Sequence, residues 1–420
     1  MDKRTFIRTL GVATLTAVVR DDLWARYTGL PPDRLAEDER FWRTLRQQYR
    51  LTSAYVNLEN GYYSMQSQPV LEAFIRHVRE INVQESRYMR TRQFDDNLAV
   101  RTRLATLAGC APGELIITRN TTESLDTVIA GFDWKPGDEA VMAEQDYGAM
   151  LDMFTLQARR YGMVNRVVSL PMDPRSDDEL VQVYERAITP RTRLLMVCHL
   201  VNITGQILPV AKIADMAHRR GVPVMIDGAH AFGHLEFTIP SLGGDYYGAS
   251  LHKWLGAPLG AGLLYVRRDR ITPLWPIYSD TSMADDDIRK LNHTGTSPVH
   301  TALAINDAID YHLGIGIQRK EARLRYLQRY WTTQLRGVPN LVLNTPEDPA
   351  RSCAIANVGV RGIAPAALAN TLFDKYRIWT VAIDGAGVRG VRITPQLFTS
   401  TGELDQLVRA LGEIAARQSS

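Results

Sequence analysis

Residues 250–255 read SLHKWL and place a hydroxyl, an imidazole and an amine between a short β-like segment and a glycine-rich turn. A lysine becomes nucleophilic when burial and neighbouring charges lower the pKa of its amine. Lys253 is therefore a candidate nucleophile. Because most lysines are ordinary surface residues, this interpretation depends on what the rest of the chain supplies.

Residues 118–124 read TRNTTES, at the predicted end of a strand and the predicted start of a helix. The free N–H groups and the positive dipole end of such a helix suit an anion, most commonly phosphate. Thr121 and Thr122 add two hydroxyl groups there. An ordinary N-cap would give the same pattern, so the stretch is a candidate phosphate site.

Residues 224–230 read VMIDGAH and end an apolar strand with the carboxyl group of Asp227. A buried carboxylate is costly unless it has a cationic partner, and a protonated pyridine nitrogen is such a partner. His230 would lie near the same ligand, although Asp227 could instead cap a helix. Asn202, after another predicted strand, has a side chain that donates or accepts, or forms an Asx-turn.

These four stretches all follow predicted strands, where ligands bind in open α/β sheets. Ser250 and His252 can donate to the same phosphate, and Lys253 can form an imine with an aldehyde. A phosphate, a protonated ring nitrogen and an aldehyde together describe pyridoxal 5′-phosphate (PLP), whose characteristic protein partners are a lysine and an acid. The sequence therefore predicts PLP as the cofactor.

Seven short apolar segments, most of them separated by helical stretches, must position these residues. This alternation predicts an α/β fold with a mainly parallel sheet covered on both faces. The last two segments follow each other without a helix, so the sheet is expected to be mixed. The predicted strands are residues 115–118, 140–143, 164–170, 194–199, 223–227, 246–250 and 262–266.

The predicted organisation has three parts. Residues 1–50 form an N-terminal arm and helix, residues 51–295 the large PLP-binding domain, and residues 296–420 a smaller C-terminal α+β domain. In the last part we expect strands near residues 341–343, 354–358, 379–382 and 391–394, and helices near residues 364–376 and 401–416.

Composition excludes several classes of partner. The 420 residues carry a formal net charge of only +3, and the basic residues are scattered, which argues against nucleic-acid binding. No apolar stretch is long enough to cross a bilayer. The three cysteines have neither disulfide nor metal-site spacing, so we expect no metal.

The N-terminal sequence is compatible with two cellular locations. Residues 2–8 are basic and residues 10–19 mildly apolar, as in an export signal of twin-arginine type, but no clear cleavage site follows. We expect a cytoplasmic protein. The alternative is a periplasmic one exported through residues 1–20.

The order of four motifs resembles the class V, fold type I PLP enzymes, a family that includes cysteine desulfurases, selenocysteine lyases, kynureninase and isopenicillin N epimerase. These motifs are TTES at 121–124, NxxG at 202–205, DGAH at 227–230 and SxHKW at 250–254. The resemblance covers roughly residues 50–415, and YVNLENG at 55–61 is most similar to the isopenicillin N epimerase-like branch. It implies the PLP transferase fold, with a seven-stranded large domain.

The resemblance also implies roles for individual residues. Lys253 would carry the imine with PLP and move protons at the substrate α-carbon, and Asp227 would pair with the pyridine nitrogen. Tyr147 would stack on the ring, with His230 and Asn202 near its phenolic oxygen. The phosphate would be held by Thr121, Thr122, Ser250, His252 and, from the partner subunit of a homodimer, Thr296. The substrate carboxylate would bind Arg392. Apart from the resemblance, Asn60 and Tyr62 are candidates for binding the substrate.

The reaction type is the least determined property. Cysteine desulfurases of this class use a cysteine shortly before the carboxylate-binding arginine, and residues 378–387 contain none. We expect an enzyme that acts at the α-carbon of an amino acid or an amino-acid-containing small molecule, by epimerisation or racemisation. The alternatives are a C–S or other β-lyase, an aminotransferase and, outside catalysis, a silent PLP-fold binding protein. No GxGxxG motif follows the first predicted strand, which argues against a dehydrogenase, and the GxSxG motif of serine hydrolases is absent.

Overall fold

The computed structural model describes residues 29–278 and 280–418. The predicted export signal in residues 1–20 lies outside these residues, and the cytoplasmic location stays a prediction. In the part of the chain that is described, no helix combines the length and the apolar character needed to cross a membrane.

A seven-stranded sheet forms the centre of the larger part of the molecule, in the order β2-β8-β7-β6-β5-β3-β4. Five neighbouring strands run parallel, and β8 is antiparallel to both β7 and β2. The predicted mixed, mainly parallel sheet is confirmed. Its strands are β2 (Leu115–Thr118), β3 (Glu139–Ala143), β4 (Val164–Val168), β5 (Thr192–Cys198), β6 (Val224–Asp227), β7 (Tyr246–Ser250) and β8 (Gly262–Val266).

Helices cover both faces of this sheet, which explains why β3, β6, β7 and β8 are buried along their whole length. The apolar side chains form one cluster on each face. Helices α5 (Thr121–Gly131) and α6 (Gly148–Tyr161) supply one cluster. The other includes side chains of α3 (Gln68–Thr91), α4 (Gln93–Ala108), α7 (Asp177–Ala187), α8 (Val210–Arg219) and α9 (Val299–Ile315).

A second, antiparallel sheet lies in the C-terminal part, in the order β12-β13-β10-β9. Its strands are β9 (Leu341–Leu343), β10 (Ala356–Val360), β12 (Val381–Gly385) and β13 (Val388–Ile393). A third apolar cluster joins it to α10 (Ile317–Leu335), α11 (Pro365–Tyr376) and α12 (Thr401–Ala416). The α+β character of this part agrees with the sequence prediction.

The predicted single strand at residues 379–382 is wrong. The chain forms β11 (Ile378–Trp379) and then β12, because β11 pairs in parallel with β1 (Val56–Asn57) and not with the antiparallel sheet. An N-terminal segment is thereby attached to the C-terminal part.

From residue 29 onward, the described N-terminal region contains two short helices, α1 (Pro32–Ala36) and α2 (Glu39–Arg46), the second capped by the side chain of Asp38. The domain boundaries stay a prediction, and the structure adds that α9 packs against α3 and α4.

Candidate functional site

The four predicted stretches meet at one edge of the large sheet. Strands β5, β6 and β7 are parallel neighbours, and β2 runs in the same direction because β8 is antiparallel to both β2 and β7. Their carboxyl ends therefore lie together, at the position where open α/β sheets bind ligands. The residues that follow them are the predicted site residues.

Helix α5 begins at this edge and is held against the end of β7. The side chain of Asn120 caps the helix and accepts the Glu123 N–H at 2.9 Å. Ser250 Oγ accepts the Thr121 N–H at 2.9 Å and lies 2.8 Å from Thr121 Oγ1. A side chain at Gly262 would come within 2.7 Å of the Asn120 backbone. The glycine thus permits this close approach of strand and helix start.

His252 supplies a polar atom without a partner, two residues after Ser250. Among the described residues nothing bonds to its buried Nδ1. Burial, and then the charge of Lys253, lower the pKa of His252 to about 4, so the ring is neutral at pH 7. A neutral imidazole offers one N–H donor. Together with Thr122 in the first turn of α5, it fits the oxygen atoms of a phosphate group.

Asp227 ends β6 and is almost completely buried. Its Oδ1 accepts the Ala229 N–H at 2.9 Å, and burial raises the pKa of the carboxyl group. No basic side chain in the described part of the chain forms an ion pair with it. The positive charge of Lys253 offsets part of the effect of burial, and a protonated pyridine nitrogen beside the carboxyl group would stabilise the carboxylate further.

Lys253 lies in the turn after β7 and is half-buried. Its Nζ is 3.1 Å from His230 Nε2. Burial lowers the pKa of Lys253 to about 8, while Asp227 favours the charged form and Arg392 opposes it. A substantial fraction of the amine is thus neutral near pH 8 and can attack an aldehyde. The amine, the buried carboxyl group and the free imidazole nitrogen all fit PLP.

Arg392 lies on β13, and its guanidinium group already holds a carboxylate of this chain. Its Nη2 is 2.6 Å from Glu59 Oε1 and its Nε is 3.2 Å from Glu59 Oε2. Its Nη1 donates to the Asn202 carbonyl oxygen at 3.2 Å. Because a guanidinium group has five N–H donors, one on each Nη atom has no hydrogen-bond partner among the described residues. Arg392 therefore keeps donors for a second carboxylate.

Two further predicted residues lie in the segment that carries Glu59. Asn60 is buried, and its Nδ2 donates to the Thr394 carbonyl oxygen at 2.9 Å. Its Oδ1 accepts from Asn57 at 3.2 Å. The Asn60 side chain thus fastens this segment to the residue after β13. The Tyr62 ring is 75% exposed, while its N–H donates to Glu59 at 3.0 Å.

Tyr147 and Thr296 lie outside this set of contacts. Tyr147 directly precedes α6, with an exposed ring. Thr296 is exposed in the loop before α9, and the described chain shows no hydrogen bond between it and the start of α5. Their assignment to the ring and to the partner subunit's phosphate stays a prediction.

Two residues with direct contacts to the site were missed from the sequence. Glu59 was not assigned to Arg392, although it is the only acid in the segment YVNLENG. Trp254 belongs to the SxHKW motif, which predicts no role for it, and its Nε1 donates to His230 Nδ1 at 3.2 Å. The sequence signal for this contact is that the residue next to the candidate lysine carries an indole N–H, which can donate a hydrogen bond within the site.

The cysteines are not placed for chemistry. The Cys198 thiol is buried and donates to the Leu200 carbonyl oxygen at 3.1 Å. Burial and the nearby carboxyl groups of Asp227 and Asp146 raise its pKa far above the ordinary value, so it stays a thiol. Cys353 is buried in the same way, and burial also raises the pKa of the half-buried Cys110. Thiols that stay protonated are poor nucleophiles.

Comparison with known proteins gives a consistent result. Residues 57–410 match the family described as aminotransferase class V. Isopenicillin N epimerase from Amycolatopsis lactamdurans is 31% identical over 394 residues, which are 89% of this chain and 98% of the epimerase.

Two solved structures share the fold. The apo cysteine desulfurase from Thermococcus onnurineus NA1 has a TM-score of 0.78 and 20% identity, and the match covers 89% of this chain and 98% of that one. A C-DES mutant with glycine covalently linked to its PLP cofactor has a TM-score of 0.77 and 23% identity, and the match covers 88% and 99%. The predicted PLP transferase fold is confirmed.

Proposed function

The chain belongs to the class V aminotransferase family of PLP-dependent enzymes, and we propose that it is an epimerase or racemase. Its substrate would be an amino acid, or a small molecule that carries one, and inversion would take place at the α-carbon. The observation that carries this proposal is the similarity to isopenicillin N epimerase, which extends over 89% of this chain and 98% of that enzyme.

The cofactor is PLP, which withdraws electrons from the bonds at the α-carbon of a bound amino acid. Asp227 would keep its ring nitrogen protonated, because a buried carboxylate beside a pyridine nitrogen favours the protonated form of that nitrogen. The phosphate group would be held by the start of α5, with Thr121, Thr122, Ser250 and His252. Lys253 would bind the aldehyde carbon.

Lys253 would also move the proton. With a pKa of about 8, its amine accepts a proton at neutral pH and returns it without a large energetic cost. Arg392 would orient the substrate through the N–H groups that Glu59 and Asn202 leave free. Inversion requires that the proton return to the face opposite the one it left.

A C–S lyase is the second candidate, supported by the fold shared with a cysteine desulfurase. The absence of a cysteine in residues 378–387 argues against desulfuration by a protein thiol. A lyase that needs no thiol, and an aminotransferase, remain as alternatives.

The test separates these reactions directly. The PLP-loaded enzyme is incubated in heavy water with a panel of free amino acids, and deuterium at the α-carbon, configuration and keto acid are measured. Exchange with inversion and no keto acid supports the epimerase. Without an added acceptor, formation of keto acid in an amount equal to the substrate consumed supports the lyase and contradicts our proposal. The Lys253→Ala variant is the control for exchange that does not depend on the Lys253 amine.

We further propose a homodimer in which Thr296 contributes to the partner subunit's phosphate site. Large apolar side chains that a partner subunit could cover are exposed on the described chain, among them Val83, Phe94, Trp275 and Tyr278. Mixed dimers of Lys253→Ala and Thr296→Ala subunits would contain one intact site each. Recovery of PLP binding on mixing the two variants supports the arrangement, and additive loss contradicts it.

A further inference from the structure

Trp254 is held rigidly next to Lys253. Its indole ring is buried and stacks on His234, with ring centroids 3.9 Å apart and planes inclined by 29°. Its carbonyl oxygen accepts a hydrogen bond from the buried amine of Lys320. The ring and the backbone of Trp254 are thus both fixed, so the direction of the indole N–H is determined.

This N–H determines which nitrogen of His230 carries a proton. An indole Nε1 can only donate, so His230 Nδ1, at 3.2 Å, must accept. Burial first, and the charges of Lys253 and Arg392 next, hold the pKa of His230 well below its usual range. The ring is therefore neutral, and its single proton is on Nε2, which lies 3.1 Å from Lys253 Nζ.

We propose that Trp254 is a positioning residue that fixes His230 as the Nε2–H tautomer and thereby keeps Lys253 a nucleophilic amine. An ammonium group has only donors and cannot accept from Nε2–H, whereas a neutral amine has a lone pair that can. With the opposite tautomer, Nε2 would accept and would favour the ammonium form. This inference concerns the state of Lys253 and does not depend on the reaction type.

Other charged and titratable groups near the contact between His230 and Lys253 also influence the charge of these two side chains. Asp227 and Glu59 favour the charged form of Lys253, and Arg392 disfavours it. His234 donates from Nδ1 to the His230 carbonyl oxygen at 2.7 Å, and burial holds its pKa well below the usual range. The groups that act on Lys253 or His230 are Asp227, Glu59, Arg392, Cys198, His234 and His252. None of them donates to His230 Nδ1 in the described chain.

The experiment removes the N–H and keeps the ring. Trp254→Phe is compared with a variant that carries benzothienylalanine at position 254, in which sulfur replaces the N–H group at nearly constant shape. Trp331→Phe is the matched control, because Trp331 is equally buried and its Nε1 has no hydrogen-bond partner among the described residues. All measurements use the full-length protein after removal of PLP.

The first measurement is the ¹⁵N NMR spectrum of the histidine rings, with His230→Asn used to identify the His230 signals. The second is the pH dependence of Lys253 acetylation by acetic anhydride, quantified by mass spectrometry. We expect the wild type and Trp331→Phe to show the Nε2–H tautomer. In both position-254 variants, the tautomer should change and Lys253 labelling at pH 8 should fall roughly three- to tenfold.

Two results would overturn the proposal. One is an unchanged His230 tautomer in the benzothienylalanine variant. The other is a changed tautomer with the same labelling profile as the wild type. Neither measurement uses turnover, so a failure here is distinct from a failure of the epimerase proposal.

Discussion

Replacing Glu59 by glutamine is expected to lower the free energy of unfolding by about 3–5 kcal/mol. The Glu59 and Arg392 side chains are only 7% and 8% exposed, and they form two contacts of 2.6 and 3.2 Å. Removing the carboxylate charge leaves the guanidinium group buried with neutral partners. The cost therefore comes from an uncompensated charge and exceeds that of a lost hydrogen bond, which is about 1 kcal/mol.

Urea unfolding at pH 7 measures this cost, at one protein concentration and with the slopes of wild type and variant required to agree. The matched control is Asp133→Asn. Asp133 pairs with Lys135 at 2.8 Å, but both side chains are 65% exposed. That variant should change stability by no more than about 1 kcal/mol.

A double variant identifies the cause. Glu59→Leu combined with Arg392→Met removes both charges, so it should recover most of the stability lost by Glu59→Leu alone. A loss of stability in Glu59→Gln no larger than that in Asp133→Asn would refute the uncompensated charge as the cause. A double variant that loses the sum of its two single losses would refute it as well.

Three further predictions follow from the pKa values and from the site. Lys253→Ala should remain folded by circular dichroism but lose the absorbance band of lysine-bound PLP and all turnover; multiple turnover in that variant would contradict its role. Asp146 has a pKa raised to about 8 by burial, so wild type should lose stability relative to Asp146→Asn as the pH rises from 4 to 8 in urea unfolding. Lys320 has a pKa lowered to about 7 by burial, so wild type should gain stability relative to Lys320→Met between pH 7 and 10, and parallel pH profiles would contradict this.

Much of the fold was predictable because its signals are local. The seven strands of the large sheet are short apolar runs, and each was placed within two residues of its observed bounds. The direction of the strands alone predicts which edge of the large sheet carries Asp227 and Lys253. A strand that ends in a carboxyl group is informative, since burial of that group requires a partner.

The parts that could not be predicted depend on contacts between distant residues. Glu59 and Arg392 are 333 positions apart, and neither residue type indicates the other. The division of residues 378–385 into β11 and β12 depends on β1, a two-residue strand at Val56 with no recognisable periodicity. The tautomer of His230 depends on the orientation of the Trp254 ring, which packing in three dimensions determines.

The attachment of β1 to β11 has a consequence for synthesis of the chain. The segment from Val56 to Tyr62 is synthesised more than 300 residues before its partners Ile378, Arg392 and Thr394. Closing so long a loop is slow and entropically costly. During synthesis, the Glu59 carboxylate therefore stays solvated until β13 leaves the ribosome. A chain truncated before β13 would keep the large sheet and Lys253 but would leave that carboxylate without its partner.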